Sequence, residues 1–292
     1  MKKVKLLLLT IVASLMMTSC GTTETVPITG RKHRISVSDD QILSLSSQQY
    51  SQYMAQAKKS TNAKNTQMVV RVGQKLANAV ESYLSSHGYA NELKNFSWEF
   101  NLVQDLQANA FCMPGGKIVV YEGLLTYTQS EDALAIVLGH QIAHAVAKHS
   151  AEQMSKEQNQ GILTQIGSAA ITMATGDANL GSVAGSVAQS AFSFANLKYS
   201  REDELEADHM GLVFAAMAGY NPETAVPFWK RMQVKSTNQS DIFSTHPSDA
   251  KRIAALEKLM PEALAYYNAT KKTTTTSKKK TTTKKSTTKK KK

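Results

Sequence analysis

The chain contains little cysteine and little proline, and it lacks an uninterrupted apolar run of transmembrane length. Its 292 residues include two cysteines, Cys20 and Cys112, and six prolines. Two cysteines exclude the disulfide-rich class of small exported domains, so the fold must depend on a hydrophobic core. The apolar run at residues 6–17 is shorter than the roughly 20 residues of a transmembrane helix. Residues 161–197 carry a single charge but are interrupted by Gln, Thr, Asn and Gly.

The N-terminus is predicted to be a processing signal that ends before Cys20. Lysines at positions 2, 3 and 5 precede the apolar run, and Thr18 and Ser19 supply the small residues of a cleavage site. This order resembles a bacterial lipobox, which predicts a signal peptide over residues 1–19 and a lipidated Cys20 as the membrane anchor; a plain secretory signal is the alternative. Residues 20–38 are expected to form a linker.

Acidic residues are absent from the C-terminal segment Lys271–Lys292, which contains only Lys, Thr and Ser. It holds 11 lysines, which equals the net charge of +11, so the rest of the chain is neutral overall. A segment without apolar residues cannot bury a core, and residues 268–292 are predicted to be disordered. The simplest interpretation is a solvated extension, and the alternative is adhesion to anionic surfaces. No aromatic residues interleave the lysines, so specific nucleic-acid binding is not expected.

The body, residues 39–267, is long enough to bury a single core. Apolar residues recur at three- and four-residue steps from Asp39 and again over residues 66–85, which predicts helices. Short β-branched and aromatic segments predict strands. A third predicted helix starts at a cap, Ser130, has Glu131 and Asp132 in its first turn and carries no formal charge from Ala133 to Ala147. A further helix is predicted over residues 199–218. The strands are predicted at residues 97–103, 110–113 and 117–121. Residues 161–197 predict a pair of small-residue helices that cover the site, with a mobile lid or a surface that leans on the membrane as the alternative.

The most informative motif is His140-Gln141-Ile142-Ala143-His144. Residues four apart on a helix share a face, so both imidazoles can reach one zinc ion at about 2.0–2.1 Å. In the zinc-peptidase signature H-E-x-x-H, a Glu between the histidines is the general base. Gln141 stands at that position, and an amide cannot take up the proton. The alternative is a pair of hydrogen-bonded core histidines. His149 would lie about 140° further around a continuous helix, so it is not expected to be a ligand.

A third zinc ligand must come from elsewhere in the chain. The acidic run at residues 202–208 contains Glu204 and Asp208, four residues apart on one helical face. One carboxylate could bind the metal while the other orients a ligand histidine. The alternative is a solvated helix face, although the apolar residues of the same helix favour an inward-pointing acid.

Several short blocks occur together in one order, and this order resembles the zinc metalloendopeptidases of peptidase family M48. The blocks are Pro27-Ile28-Thr29-Gly30-Arg31, Asn109-Ala110-Phe111, Pro114-Gly115-Gly116, Gly123-Leu124-Leu125, residues 140–144, Ser200-Arg201 with Glu204, Ala207-Asp208, Ala218-Gly219-Tyr220-Asn221-Pro222, and Thr245-His246-Pro247 with Arg252. The resemblance implies an α+β, zincin-like (minigluzincin) metallopeptidase domain, mostly helical with a small antiparallel-rich sheet.

The resemblance also implies roles for individual residues. His140, His144 and Glu204 are expected to bind one Zn²⁺ per chain, and Asp208 is expected to orient a ligand histidine, with Arg252 close by. His246 is expected near the metal, either in the open position or as an oxyanion stabiliser. The strand residues Ile118, Val119, Val120 and Tyr121 are expected to bind substrate as an added β-strand.

These features predict a cell-envelope metalloendopeptidase of unfolded or misassembled proteins, lipid-anchored and facing the periplasm from the outer membrane. Gln141 is expected to impair cleavage, because general acid–base catalysis contributes about 10²–10⁴-fold. Gln141 is interpreted either as a substitution in an otherwise competent peptidase or as the residue of a zinc-binding lipoprotein that acts as chaperone or scaffold. Glu206 is a possible replacement base. Envelope adhesion through the lysine tail is a third function class.

Overall fold

The computed structural model of this chain describes residues 21–160, 193–235, 246 and 250–288. The predicted signal peptide, Cys20 and most of the segment 161–197 lie outside these residues. The helices and strands are β1 (Thr22–Thr25), β2 (Lys32–Ile35), α1 (Asp39–Gln56), α2 (Ala63–Ser86), β3 (Glu99–Val103), β4 (Ala110–Met113), β5 (Lys117–Tyr121), α3 (Glu122–Thr128), α4 (Glu131–Val146), α5 (149–160 within the described range), α6 (Arg201–Met217), α7 (Ala225–Lys235) and α8 (Ala250–Thr288).

The described strands form two small sheets beside the helices. In the first, β1 pairs with β2 in antiparallel orientation. In the second, the strand order is β3-β5-β4. The pair β3–β5 is parallel and the pair β4–β5 is antiparallel, with Phe111 opposite Val119. Two of these three pairings are antiparallel, so the predicted α+β architecture with a small antiparallel-rich sheet is confirmed.

The hydrophobic core surrounds α4, which is buried along nearly its whole length. It packs against α2, α6 and β4, and residues such as Leu134, Leu138 and Ile142 are fully buried. The helix begins where the Ser130 side chain accepts a hydrogen bond from the Ala133 amide, as the cap predicted. Among the described helices, none combines the length and the hydropathy needed to cross a membrane.

A pair of glycines lets α4 and α6 approach at backbone distance. A Cβ atom added to Gly139 would lie 2.6 Å from the Gly211 carbonyl oxygen, and one added to Gly211 would lie 2.6 Å from the His140 amide nitrogen. Both separations are shorter than any ordinary Cβ contact, so side chains at these positions would push the helices apart. The crossing therefore sets how closely His140 lies to residues carried by α6.

The N-terminal segment predicted as a linker is instead a packed hairpin. The strands β1 and β2 are joined by a turn in which the Gly30 amide donates to the Val26 carbonyl at 3.0 Å, and Gly30 has a φ of 70°. Val26 and Ile35 are 1% and 3% exposed. The linker prediction for residues 20–38 was therefore wrong from Thr22 to Ile35, because alternate side chains of this segment join the core.

The C-terminal tail also differs from its prediction. The last helix, α8, continues through the predicted disordered segment as far as Thr288, with Pro261 inside it. After Pro261 the chain contains no proline or glycine that would end a helix. The disorder predicted for residues 268–292 was wrong at Thr270, whose hydroxyl donates to the Met217 carbonyl at 3.3 Å. For residues 273–292 it stays a prediction.

Candidate metal centre

Four buried side chains from three parts of the chain converge on one point beside α4. His140 and His144 come from α4, Glu204 comes from α6, and His246 lies shortly before α8. One ligand atom from each residue lies within 4.8 Å of the others, and all four side chains are at most 3% exposed. On α6, the Ser200 hydroxyl accepts from the Asp203 amide in a capping box, which starts the helix just before Glu204.

The separations between these ligand atoms fit a tetrahedral zinc site. His140 Nε2 lies 3.1 Å from His144 Nε2 and 3.4 Å from Glu204 Oε2, and His144 Nε2 lies 3.5 Å from Glu204 Oε1. Ligands held tetrahedrally at the usual Zn–N distance are about 3.3–3.4 Å apart. Oε2 of Glu204 is buried and has no partner with hydrogen-bond geometry among the described residues, and it forms an ion pair with Arg252 Nη1 at 2.8 Å. The Arg252 charge keeps this carboxylate ionised, which a metal-binding oxygen requires. The residues present therefore fit a zinc ion.

His246 lies at the position of a fourth ligand. Its Nδ1 is 2.7 Å from Glu204 Oε1 and 3.3 Å from His140 Nε2. Its Nε2 is 3.1 Å from the Gln141 side-chain nitrogen. These contacts agree with a neutral ring whose Nδ1–H donates to Glu204 and whose Nε2 accepts from the Gln141 amide. To bind a metal through Nδ1, the ring would carry its hydrogen on Nε2 instead. Gln141, at the position of the Glu in the H-E-x-x-H signature, therefore contacts His246 directly.

The pKa shifts of Glu204, His144 and His246 suit metal binding. Burial raises the pKa of Glu204, but His246, His140 and His144 outweigh burial and hold it well below its ordinary value. Burial lowers the pKa of His144 well below its ordinary value, and it lowers the pKa of His246 as well. His140 differs: burial lowers its pKa, but Asp208 and Glu204 outweigh burial and raise it. A metal ion requires an ionised carboxylate and neutral imidazoles, so binding would release any proton held on the metal-facing nitrogen of His140.

Asp208 and Arg252 orient the His140 ring from the side opposite the candidate metal position. The Nδ1 atom of His140 lies 3.0 Å from Asp208 Oδ1. Arg252 donates to both oxygens of Asp208, at 2.6 and 2.7 Å, and its guanidinium lies 4.8 Å from the centroid of Trp229. Burial raises the pKa of Asp208, but Arg252 and His140 outweigh it and lower the pKa. A charged carboxylate thus accepts the His140 Nδ1–H, which leaves Nε2 free for the metal.

The structure does not support substrate pairing along Ile118–Tyr121. These residues belong to β5, which is the central strand between β3 and β4, so both of its edges are already paired. The strand on the edge beside the metal centre is β4. The register directs the backbone groups of Ala110 and Cys112 away from β5. Residues of β4, namely Phe111 and Cys112, line a small cavity together with Gln141, Tyr199 and His246.

Three further residues near the centre, Glu206, Tyr199 and Cys112, have surroundings that the sequence did not indicate. Both oxygens of Glu206, considered as a replacement base, are occupied by Thr29, Arg31 and His149. Tyr199 was not predicted, yet its ring stacks on His144 with centroids 3.9 Å apart. The only local signal for Tyr199 was its place just before the Ser200 cap. Cys112 is buried, which raises the pKa of its thiol.

Comparison with known proteins places these residues in a family context. Residues 71–260 match peptidase family M48. The mitochondrial metalloendopeptidase OMA1 of Schizosaccharomyces pombe is 35% identical over 175 residues, which cover 59% of this chain and 49% of that protein. The beta-barrel assembly-enhancing protease of Escherichia coli is 29% identical over 183 residues, which cover 61% of this chain and 37% of that protein. The chain thus spans at most about half the length of these relatives.

Proposed function

Because the chain belongs to peptidase family M48, we propose that it is a zinc metalloendopeptidase whose cleavage step is impaired by Gln141. The observation that carries the proposal is the convergence of His140, His144, Glu204 and His246 within 4.8 Å in the core. Buried titratable groups of this kind are retained where they hold a metal. The membership of the family implies zinc as the ion.

His140, His144 and Glu204 would hold the zinc, with Asp208 and Arg252 keeping His140 in place. When bound, zinc polarises the scissile carbonyl and acidifies a water molecule. His246 must move from the fourth position before a water or a carbonyl can occupy it. Gln141 can donate a hydrogen bond from its amide, but it cannot accept the proton that a Glu would take and deliver to the leaving amine.

The edge of β4 supports a substrate bound as an extended strand. Within the described part of the chain, the outward backbone groups of Cys112 have no backbone partner. All four residues of β4 are buried and Phe194–Asn196 pack beside the strand, so a substrate would have to displace that segment to pair. Backbone pairing is tolerant of side-chain sequence, so an unfolded segment is the substrate class that this edge would accept. We propose unfolded or misassembled envelope proteins as substrates and a lipidated Cys20 as the anchor. The named activity of the E. coli relative motivates the first part, and the lipobox motivates the second.

A second candidate is a zinc-binding lipoprotein that retains unfolded proteins without cutting them, as chaperone or scaffold. The contact between Gln141 and His246 favours it. An amide at position 141 can donate to His246 Nε2 when that nitrogen is unprotonated and can accept from it when it carries the hydrogen, whereas a carboxylate can only accept. Gln141 therefore stabilises His246 in the fourth position, which is the closed arrangement of the site.

Cleavage of unfolded, fluorescently labelled casein by the zinc-loaded protein separates the two candidates. The unaltered chain and Gln141→Glu are compared, with Gln141→Glu combined with His144→Ala as the control for contaminating proteases. We expect Gln141→Glu to cleave about 10²–10⁴-fold faster than the unaltered chain, and the control to be inactive. If Gln141→Glu binds zinc and casein but cleaves casein no faster than the unaltered chain does, the peptidase proposal is wrong. The retention function then takes its place.

A further inference from the structure

The second ligand histidine, His144, has a hydrogen-bond partner that the metal-site residues do not include. Its Nδ1 atom lies 2.8 Å from Nδ1 of His149, and both rings are buried. Two ring nitrogens at this distance share one hydrogen, so one donates and the other accepts. Since His144 Nε2 faces the other ligands and must be unprotonated to bind a metal, its Nδ1 carries the hydrogen and donates to His149.

His149 in turn forms a hydrogen bond to a carboxylate. Because its Nδ1 accepts from His144, its Nε2 carries the hydrogen of the neutral ring and donates to Glu206 Oε2 at 2.9 Å. The sequence of contacts Glu206–His149–His144 thus fixes the tautomers of both rings. It parallels the direct contact between Asp208 and His140, with a second imidazole inserted between carboxylate and ligand.

Glu206 is itself held by the N-terminal hairpin. Arg31 Nε donates to Glu206 Oε2 at 2.7 Å, and the Thr29 hydroxyl donates to Oε1 at 2.5 Å. The other end of the Arg31 guanidinium bonds both oxygens of Glu152, at 2.9 and 3.3 Å. A carboxylate that accepts from three donors has little freedom to rotate. The His149 ring is therefore held by Glu206 on one side and by His144 on the other.

The backbone of Lys148 explains how His149 reaches His144. On a continuous helix the two side chains would be about 140° apart. Instead α4 ends at Val146, and Lys148 adopts a left-handed conformation with a φ of 54° before α5 begins. A non-glycine residue is disfavoured in this region, because its Cβ approaches the following carbonyl oxygen. The Lys148 ammonium forms ion pairs with Glu24, Asp39 and Glu92, at 2.9–3.1 Å, which hold the turn in place.

From this geometry we propose that His149 and Glu206 are positioning residues of the metal centre, and that Arg31 from the N-terminal hairpin completes the relay. The inference rests on the proposed zinc site. The relay holds the His144 ring with Nε2 toward the metal and stabilises the neutral tautomer that binds it. Removing such a partner of a ligand lowers metal affinity by about 10–100-fold in comparable sites.

Zinc affinity, measured by chelator competition on the full chain, tests the relay without depending on cleavage. The variants are His149→Phe, Glu206→Gln and Arg31→Gln. The matched control is Glu152→Gln, which removes a buried carboxylate from the same ion cluster but leaves the contacts among Arg31, Glu206 and His149 in place. Thermal unfolding of each metal-free protein reports the purely structural cost.

We expect His149→Phe to lower zinc affinity about 10–100-fold, Glu206→Gln and Arg31→Gln to lower it less, and Glu152→Gln to leave it unchanged. His149→Gln should recover part of the loss, because its amide can accept from His144 and donate to Glu206. Glu206→Gln preserves volume, so it remains informative if His149→Phe does not fold.

If Glu206→Gln, His149→Gln and His149→Phe all bind zinc as tightly as the unaltered chain, the relay is wrong and the metal centre stands without it. Equal losses in Glu152→Gln would also overturn it, because the effect would then follow the stability of the cluster. If the unaltered chain binds no zinc, the metal centre itself is wrong and the relay is wrong with it. These three results are distinguishable from one another.

Discussion

Replacing Gly211 with alanine should separate the two helices that carry the metal ligands. The added Cβ would lie 2.6 Å from the His140 amide nitrogen, about 0.8 Å less than an ordinary 3.4 Å contact. The obstacle is backbone in the core, so no flexible side chain can move aside. Overpacking of this size costs about 1–3 kcal/mol of unfolding free energy.

The same displacement acts on the ligand set. A metal site tolerates deviations of about 0.2 Å in its ligand distances, so a shift of α4 against α6 by several tenths of an ångström separates His140 and His144 from Glu204. We therefore expect Gly211→Ala to lower zinc affinity at least about tenfold, although no ligand is changed.

The assay pairs urea unfolding of the metal-free protein with chelator competition for zinc. The matched control is Gly73→Ala, where a Cβ would lie 2.1 Å from the Phe100 ring, between α2 and β3. This control should lose stability but keep its zinc affinity. Gly211→Ala binding zinc as tightly as the unaltered chain would refute the claim that the glycine crossing sets the ligand distances.

Two further predictions concern the cluster around the relay. Burial raises the pKa of Glu152, but hydrogen bonds from His33, Arg31 and Lys156 outweigh burial and lower the pKa below the ordinary 4.5. The ionised Glu152 therefore contributes its full stabilisation above pH 4.5, and this contribution is lost progressively as the pH falls below that value. Urea unfolding at a series of acidic pH values should show a shallower loss of stability for Glu152→Gln, and identical slopes would contradict this. For the left-handed turn, Lys148→Gly should be about 1 kcal/mol more stable than Lys148→Ala, since both lose the ion pairs but only glycine escapes the backbone cost. Alanine at least as stable as glycine in thermal unfolding would show that Lys148 carries no such cost.

Much of the local structure followed from short-range patterns. The Ser130 cap, the uncharged run after it and the four-residue spacing of His140 and His144 predicted the ligand helix. The strands at Ala110–Met113 and Lys117–Tyr121 have their predicted bounds. These signals are readable because helix periodicity, capping and hairpin turns depend on residues only a few positions apart.

Strand order and the turn after α4 could not be predicted in this way. Nothing near Ile118 indicates that β3 pairs beside it, and that pairing makes β5 a central strand. The positive φ of Lys148 depends on acids from β1, α1 and the segment after α2, so a local pattern extends the helix past His149. The substrate role of Ile118–Tyr121, which was predicted from local patterns, was therefore wrong. His149 is absent from the group of candidate ligands among the described residues, as expected, but the turn brings its ring against His144.

The sequence by itself determined the chemistry of the centre: two histidines on one helical face, an amide in place of the base between them, and acids four residues apart to complete the set. Tertiary structure alone decided how these groups meet. The contact between Arg31 and Glu206 spans 175 positions, and the contact between His140 and His246 spans 106. Such contacts depend on helix crossings, strand pairing and shared burial, which act between segments far apart in the chain and leave no periodic trace in it.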